Sequence, residues 1–408
     1  MPKATSDKQA IKELLTRGVE KIYPSYAELE KKLSSGQPIR LYCGYDPTAP
    51  SLHIGNAISL NKLGRFQALG HEVIFLLGDF TAMIGDPTDK KAARKKMTRE
   101  EILQNARDYQ RQASAYLKFD GDNPARILYN SDWNDKLGFK DLIELSSHFT
   151  VQQMIQRDMF QERLKEEKPI YLHEFLYPLT QAYDSVMMDV DLEIGGNDQM
   201  FNMMCGRDLM KATKNKEKFV LTIKLLADET GKKMGKSEGN VVSLDETANN
   251  MYGQVMSWPD KILYSAFELC TNIPMAELEK IGGQLKEGKV NPRDLKMRLA
   301  LEITRLNHGE PAAQEAQDHF VRTIQKKEMP AEMPEWKAER EKYSLVDLLV
   351  ATRLADSKSE ARRLIEQGAI KINSDGGWVS VKDAKEQISI KSDLILQRGK
   401  LHFIKVIR

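Results

Sequence analysis

Apolar positions change their period twice within the first eighty residues, and the changes outline an α/β unit. Over residues 8–35, Ile11, Leu14, Leu15, Val19 and Ile22 form one stripe before Pro24 interrupts it, which predicts helix. Ile39 to Gly44 reads as a short strand. Ser51 is placed to cap a helix from about Leu52 to Leu69, whose apolar residues Ile54, Ala57, Ile58, Leu63 and Phe66 stand mostly three or four apart. Gly70 is placed to end it. Val73 to Leu77 is continuously apolar, as expected of a strand buried on both faces. Strand, helix and strand in this order predict a βαβ unit, hence an α/β fold with a doubly wound parallel sheet of Rossmann-like type. Ligands of such sheets bind beyond the carboxyl ends of the strands, where His53 and Asn56 would lie.

Further along, the period becomes helical. From about 245 to 325 the pattern predicts helices, with Asn291-Pro292 starting one in which Leu295, Leu299, Ile303 and Leu306 repeat until His308-Gly309. Residues 324–342 are rich in Lys and Glu and contain Pro330 and Pro334, a composition that suits a linker. In the tail, Ser344 to Ala351 and Ser359 to Gly368 read as amphipathic helices, followed by short strands around Ile370, Val379 and Phe403. The expected division is 1–238 (sheet domain), 239–325 (helical domain), 326–342 (linker) and 343–408 (a small α+β domain). No internal repeat is visible.

Composition narrows the class. At 408 residues the chain suggests two or three domains, and 41% apolar and 29% charged residues suit a globular protein. The net charge of +2 says little by itself, but residues 343–408 hold twelve Lys/Arg against eight Asp/Glu. Three separated cysteines (Cys43, Cys205, Cys270) indicate neither a disulfide framework nor a zinc site, and no metal site is expected. The first residues lack an apolar leader and no run approaches eighteen apolar residues, so a soluble, cytoplasmic protein without membrane association is the expectation.

Three segments carry candidate chemistry. At His53-Ile54-Gly55-Asn56 a helix N-terminus offers N–H groups and partial positive charge, and Gly55 would let a nucleotide lie against the first turn. The plainer alternative is that His53 caps and Gly55 packs. Lys233-Met234-Gly235-Lys236-Ser237 presents two ammonium groups three apart among glycines, suited to a polyphosphate, or else a solvated basic turn. Lys90 to Lys96 is either an exposed helix start or a second clamp on the same phosphates. Finally, Tyr177, Gln181 and Asp184 share one helical face. Either they line a polar site amid Phe175, Leu176, Leu179, Val186 and Met187, or they form a surface stripe. The glycines of Ile194-Gly195-Gly196-Asn197-Asp198-Gln199 would permit close backbone approach to a ligand.

Taken in order, these motifs resemble the class I aminoacyl-tRNA synthetases. The first matches His-x-Gly-His with Asn56 in the last place, and the second matches Lys-Met-Ser-Lys-Ser with Gly235 in the middle. Tyr42 to Thr48, Ile84 to Pro87, Tyr177 to Asp184 and Ile194 to Gln199 narrow the likeness to the bacterial-type tyrosyl-tRNA synthetases, whose alpha-L RNA-binding module the tail resembles. The resemblance implies an ATP-dependent ligase that makes tyrosyl-adenylate and transfers tyrosine to tRNA(Tyr). It also implies Mg²⁺ with the ATP, no tightly bound cofactor, and a homodimer.

By the same resemblance, Tyr42 and Asp184 would hydrogen-bond the phenol of tyrosine. Asp86, Tyr177 and Gln181 would hold its ammonium group, with Gln199 near its carboxylate. Cys43, Gly44, Asp46, Asn56, Gly196, Asp198 and Ser237 would surround the nucleotide, with Gly55 beneath it. Thr48, His53, Lys90, Arg94, Lys233 and Lys236 would grip the pyrophosphate end, with Asn56 beside them. The helices of 239–325 would meet the anticodon region. Arg353, Lys358, Arg362 and Arg363 would contact tRNA phosphates. Two residues depart from the family pattern: Asn56 replaces a histidine, and Asp89 stands where glycine is usual. A tryptophanyl-tRNA synthetase and a synthetase-derived, non-catalytic RNA-binding protein are the alternatives.

Overall fold

Six strands between Val19 and Ile223 build the sheet that positions the site. They are β1 (Val19–Tyr23), β2 (Arg40–Tyr45), β3 (Glu72–Leu77), β4 (Arg126–Tyr129), β5 (Leu192–Gly196) and β6 (Phe219–Ile223). The computed structural model describes residues 4–88, 97–227, 242–288, 290–325, 333–374, 377–381, 383–390, 392–399 and 402–408. The spatial order is β1-β6-β5-β2-β3-β4, parallel throughout except that β1 runs against β6. Helices cover the sheet, and Val73 to Leu77 of β3 and all five residues of β6 are buried. From β2 the chain builds outward through β3 and β4, then returns to add β5 and β6 on the other side. The order therefore reverses between β2 and β5, and a crevice is expected beyond their carboxyl ends.

Residues 8–35 are not one helical stretch. They form α1 (Lys8–Thr16), β1 and α2 (Tyr26–Ser34). Arg17 turns extended after α1, Gly18 takes φ +65°, and the edge of β6 captures Val19 to Tyr23 by strand pairing. Pairing of β-branched residues thus overrides a helical spacing. Nor is Ser51 the cap of the next helix. α3 spans Ile54–Ala68, and its cap is His53. The Ser51 hydroxyl bonds Asp245 Oδ1 at 2.8 Å instead.

Contacts divide the chain into two compact units, Met1–Ala313 and Gln314–Arg408. Within the first, the helices after residue 248 are tied to the sheet by buried cations. The Arg17 guanidinium donates to the carbonyls of Glu268 (3.0 Å) and Thr271 (2.7 Å) at the end of the helix Leu263–Cys270. Lys62 of α3 donates to Leu14 O and Arg17 O. Asn291 caps the helix Pro292–His308, and Gly309 follows it.

In the second unit, helices Leu345–Ala351 and Lys358–Glu366 pack on a core containing Leu345, Leu348, Leu349, Ala361, Ile365, Leu396 and Val406. Its larger sheet includes β7 (Glu335–Lys337), which lies inside the stretch read as a linker and pairs in parallel with the strand His402–Ile407. Among the described residues, no helix is long and apolar enough to cross a membrane, and no cluster of three His, Cys, Asp or Glu residues is arranged to hold a metal.

Candidate active site

The α3 N-terminus follows β2 by a loop that carries Asp46 and Thr48. His53 Nδ1 accepts from the Asn56 amide (3.3 Å), and Asn56 Oδ1 accepts from the His53 amide (3.0 Å), forming a reciprocal cap. Asn56 therefore spends its oxygen on the helix, and its NH₂ end is the donor it can offer outward. A Cβ at Gly55 would press on the His53 ring at 2.9 Å, so the glycine keeps this turn open.

Segment 242–244 runs beside the same turn: Ile54 N donates to Val242 O and Leu244 N to Leu52 O, both at 2.9 Å. The exit of the lysine segment is thus fixed at His53. Lys233, Lys236 and Ser237, together with Asp89, Lys90 and Arg94, lie outside the described residues.

A continuous polar network crosses the crevice. Tyr177 Oη donates to Asp46 Oδ2 (2.8 Å), and Thr81 Oγ1 donates to Asp46 Oδ1 (2.7 Å). Asn130 Nδ2 donates to Thr81 Oγ1 and to Asp184 Oδ2, each at 3.1 Å. Asp184 Oδ1 accepts from Trp133 Nε1 (2.7 Å) and Asn134 Nδ2 (3.0 Å). The helix Leu176–Met188 delivers Tyr177 and Asp184 on one face, and both are buried, so this is no surface stripe. Burial raises the Asp46 carboxyl to about 7, against the pull of Thr81 and Tyr177. Burial likewise raises Asp184 to about 8, against three N–H donors that favour its charged form.

Tyr42 of β2 packs in the buried cluster that contains Trp133, Ile74 and Met188, and its hydroxyl is raised by burial and by the charges of Glu193 and Asp184. Its Oη lies 2.9 Å from Ser185 Oγ. Gln181 does not meet Tyr177 or Asp86; its amide donates to Glu193 Oε1 (2.9 Å). Asp86 instead accepts from Gln199 Nε2 (2.6 Å) and from the Thr88 amide (2.9 Å), and Arg157 stands 3.9 Å away. The Tyr177 hydroxyl nonetheless feels the charges of Asp46, Asp86 and Asp184. At the end of β5, Gly196 has no room for a Cβ against Asp198. Cys43 is buried beneath this end of the sheet, its thiol pushed up to about 11, and Gly44 is exposed.

Sequence reasoning missed Thr81, Asn130, Trp133, Asn134, Arg157, Ser185, Glu193 and Lys218. None belongs to a periodic or signature pattern; only folding brings them to the named residues. In the second unit Arg353, Lys358, Arg362 and Arg363 are all exposed, the last three on one helix, with Lys358 paired to Asp347 at 2.8 Å.

Comparison with known proteins gives the family. Residues 34–325 match the family of class I tRNA synthetases (W and Y), and residues 325–406 match the tyrosine–tRNA ligase SYY-like C-terminal domain. A tyrosine–tRNA ligase of Thermotoga maritima is 42% identical over 94% of this chain and 94% of its own length. One from Moorella thermoacetica is 41% identical over 96% and 94%. In fold, the chain is similar to a C-terminally truncated mitochondrial tyrosyl-tRNA synthetase of Coccidioides posadasii (TM-score 0.62, 24% identity, 76% of this chain and 91% of that one). It is also similar to the Archaeoglobus fulgidus tyrosyl-tRNA synthetase complexed with L-tyrosine (TM-score 0.59, 22% identity, 76% and 99%). With both domains matched and relatives above 40% identical over nearly the whole chain, the chain belongs to the tyrosine–tRNA ligase family of class I aminoacyl-tRNA synthetases.

Proposed function

We propose that the crevice beyond β2 and β5 holds L-tyrosine and ATP during formation of tyrosyl-adenylate, before the tyrosyl group passes to the 3′-terminal adenosine of tRNA(Tyr). The observation that carries this assignment is Asp184. Its carboxyl is buried and accepts from three N–H donors, which leaves one of roughly four acceptor sites, and its charge acts on the Tyr42 hydroxyl. A phenolic hydroxyl could donate to that Asp184 site and accept from Tyr42, two bonds that phenylalanine could not make. Buried groups left unpaired are what makes hydroxyl-reading sites selective, and tyrosyl-tRNA synthetases are themselves the standard illustration of that principle.

Tyrosine's ammonium group is assigned to Asp86, Tyr177 and Gln181, with Gln199 at its carboxylate. Because these side chains bond Gln199, Asp46 and Glu193 in this structure, ligand binding exchanges some of those bonds. Cys43, Gly44, Asp46, Gly55, Asn56, Gly196 and Asp198 are assigned to the nucleotide, together with Ser237. Thr48, His53, Lys90, Arg94, Lys233 and Lys236 are assigned to the phosphates, with Mg²⁺ arriving on ATP. The substrate carboxylate is the nucleophile at the α-phosphorus. The protein supplies positioning and charge stabilisation, and lysines that grip the departing pyrophosphate more tightly in the transition state accelerate the step.

Residues 239–325 are assigned to the anticodon region, and the exposed cations of Lys358–Glu366, with Arg353, to tRNA phosphates. A cytoplasmic homodimer completes the reading. Amino-acid-dependent ATP–pyrophosphate exchange with all twenty amino acids tests it: exchange with tryptophan but not tyrosine would overturn the substrate, and exchange with none would overturn the activity. Asp184→Ala should abolish the preference for tyrosine over phenylalanine, and an unchanged preference removes Asp184 from phenol reading.

A further inference from the structure

Behind Tyr42 lies a charged pair that the tyrosine site does not itself require. Lys218 enters β6, Glu193 sits on β5, and Ser185 is on the helix Leu176–Met188; all three are buried. Glu193 is the register partner of Tyr42 across the β2–β5 seam. The Lys218 ammonium donates to Glu193 Oε2 and, at 2.9 Å, to Ser185 Oγ. Gly206 on the facing helix Met200–Lys214 makes room for this arrangement, because a Cβ there would overlap Lys218 Nζ and lie 2.8 Å from Ser185 Oγ. Burying two charges costs several kcal/mol per ion, and apolar residues would fill the same space as well or better. The pair's directional chemistry distinguishes it from such filler.

An ammonium has only donors, so Ser185 Oγ must accept from Lys218. Ser185 has one proton left to give. Glu193 Oε2 is 3.5 Å away and already receives Lys218, whereas Tyr42 Oη is 2.9 Å away. The serine proton therefore goes to Tyr42. Glu193 also hydrogen-bonds the Tyr42 hydroxyl, although Lys218 and Gln181 already take two of its roughly four acceptor sites. With its oxygen supplied by Ser185, Tyr42 has its own O–H to give, and the Lys218 and Gln181 bonds to Glu193 weaken that carboxylate as the competitor to a phenolic oxygen.

We propose that Lys218, Ser185 and Glu193 form a one-way hydrogen-bond relay that fixes Tyr42 as the donor to the phenolic oxygen of tyrosine, making them positioning residues for amino-acid selectivity. This rests on the assignment of Tyr42 and Asp184 to the phenol. No proton is transferred; the relay sets orientation only. The Glu193 carboxylate also anchors Gln181, so the relay ties the phenol end of the pocket to the residue assigned to the ammonium group.

The test compares kcat/KM for tyrosine and for tyrosine-free phenylalanine in ATP–pyrophosphate exchange. Ser185→Ala removes the donor to Tyr42 and lets Tyr42 turn to Glu193. Tyrosine should lose about tenfold, the worth of one neutral hydrogen bond, while phenylalanine changes less than about twofold. Ser185→Thr keeps the hydroxyl and should restore most of the ratio. Equal losses for both amino acids, or a ratio unchanged in Ser185→Ala, overturn the relay. Should Ser185→Ala fail to fold, the double variant Lys218→Met with Glu193→Gln removes the ammonium without stranding a charge, and its ratio should fall likewise. Tyr42→Phe separates the two layers. If it lowers the ratio and the relay variants do not, the relay is wrong and the phenol assignment stands; if it leaves the ratio unchanged, the phenol assignment fails and the relay with it.

Discussion

Replacing Gly206 by alanine should destabilise a helix that alanine ordinarily favours. Gly206 lies inside the helix Met200–Lys214, where intrinsic propensity alone predicts a gain of about 1 kcal/mol for Gly→Ala. The added Cβ, however, would overlap the Lys218 ammonium and press on Ser185 Oγ at 2.8 Å. Lys218 is wholly buried, so its head cannot step aside into water. Separating the ammonium from Glu193 resembles removing one partner of a buried pair, which costs about 3–5 kcal/mol. Less the propensity gain, a net loss of roughly 2–4 kcal/mol remains.

At about 2.1 cal/mol/K per residue, the unfolding entropy of the unit Met1–Ala313 is roughly 0.7 kcal/mol/K, so the melting temperature should drop by about 3–6 °C. Gly253 is the matched control: it lies in the helix Ala248–Met256, and nothing stands within 4 Å of a Cβ built on it. Gly253→Ala should leave the melting temperature unchanged or raise it by a degree or so. Scanning fluorimetry of the two variants beside the parent decides the matter. If Gly206→Ala melts with or above Gly253→Ala, Gly206 does not make room for the pair.

Other expectations follow from charge. Asp46, raised to about 7 when folded, binds its proton in the native state at pH values where the unfolded chain has lost it. Its contribution is therefore most favourable below about pH 4 and is lost as pH rises toward 7, with a slope near 1.4 kcal/mol per pH unit inside that window. Asp46→Asn should flatten the fall in melting temperature between about pH 5 and pH 7, and an unaltered slope contradicts the assignment. In the tail, changing Lys358, Arg362 and Arg363 together to alanine should weaken tRNA binding and lower the log–log salt slope by about 2 rather than 3, because Lys358 is already partly neutralised by Asp347. Filter binding across salt concentrations measures both, and an unchanged slope clears these residues of phosphate contact. Leu244→Pro removes the amide that donates to Leu52 O and should slow tyrosine activation more than it lowers the melting temperature; parallel losses would make that contact merely structural.

Local pattern carried much of the architecture. The apolar run Val73 to Leu77 became a buried central strand, and Asn291-Pro292 and Gly309 bound a helix as their chemistry predicts. The i, i+4, i+7 placement of Tyr177, Gln181 and Asp184 was readable because a helix has a fixed period. What those side chains bond was not readable. Trp133, Asn130 and Asn134 reach Asp184 from about fifty residues upstream, and no periodicity connects them. Lys218 looks like an ordinary charge before an apolar strand until β5 brings Glu193 beside it. The same holds for β1, whose helical spacing gave way to a free strand edge. Pattern reports which face a residue occupies; pairing across the sheet decides its partner.

The backbone contacts of Val242 and Leu244 with Ile54 and Leu52 have a further consequence for how this enzyme tolerates change. They join two segments about 190 residues apart through main-chain groups, which every residue but proline supplies, beside side-chain bonds from Ser51 to Asp245 and from Ser243 to Leu52 O. The main-chain bonds of this seam ask only that positions 54 and 244 keep their N–H, whereas Ser51, Ser243 and Asp245 add side-chain bonds that substitution there would remove. Substitutions can alter what the lysine segment does chemically without shifting where its exit is anchored, so the reactive chemistry and its mechanical mounting can vary independently.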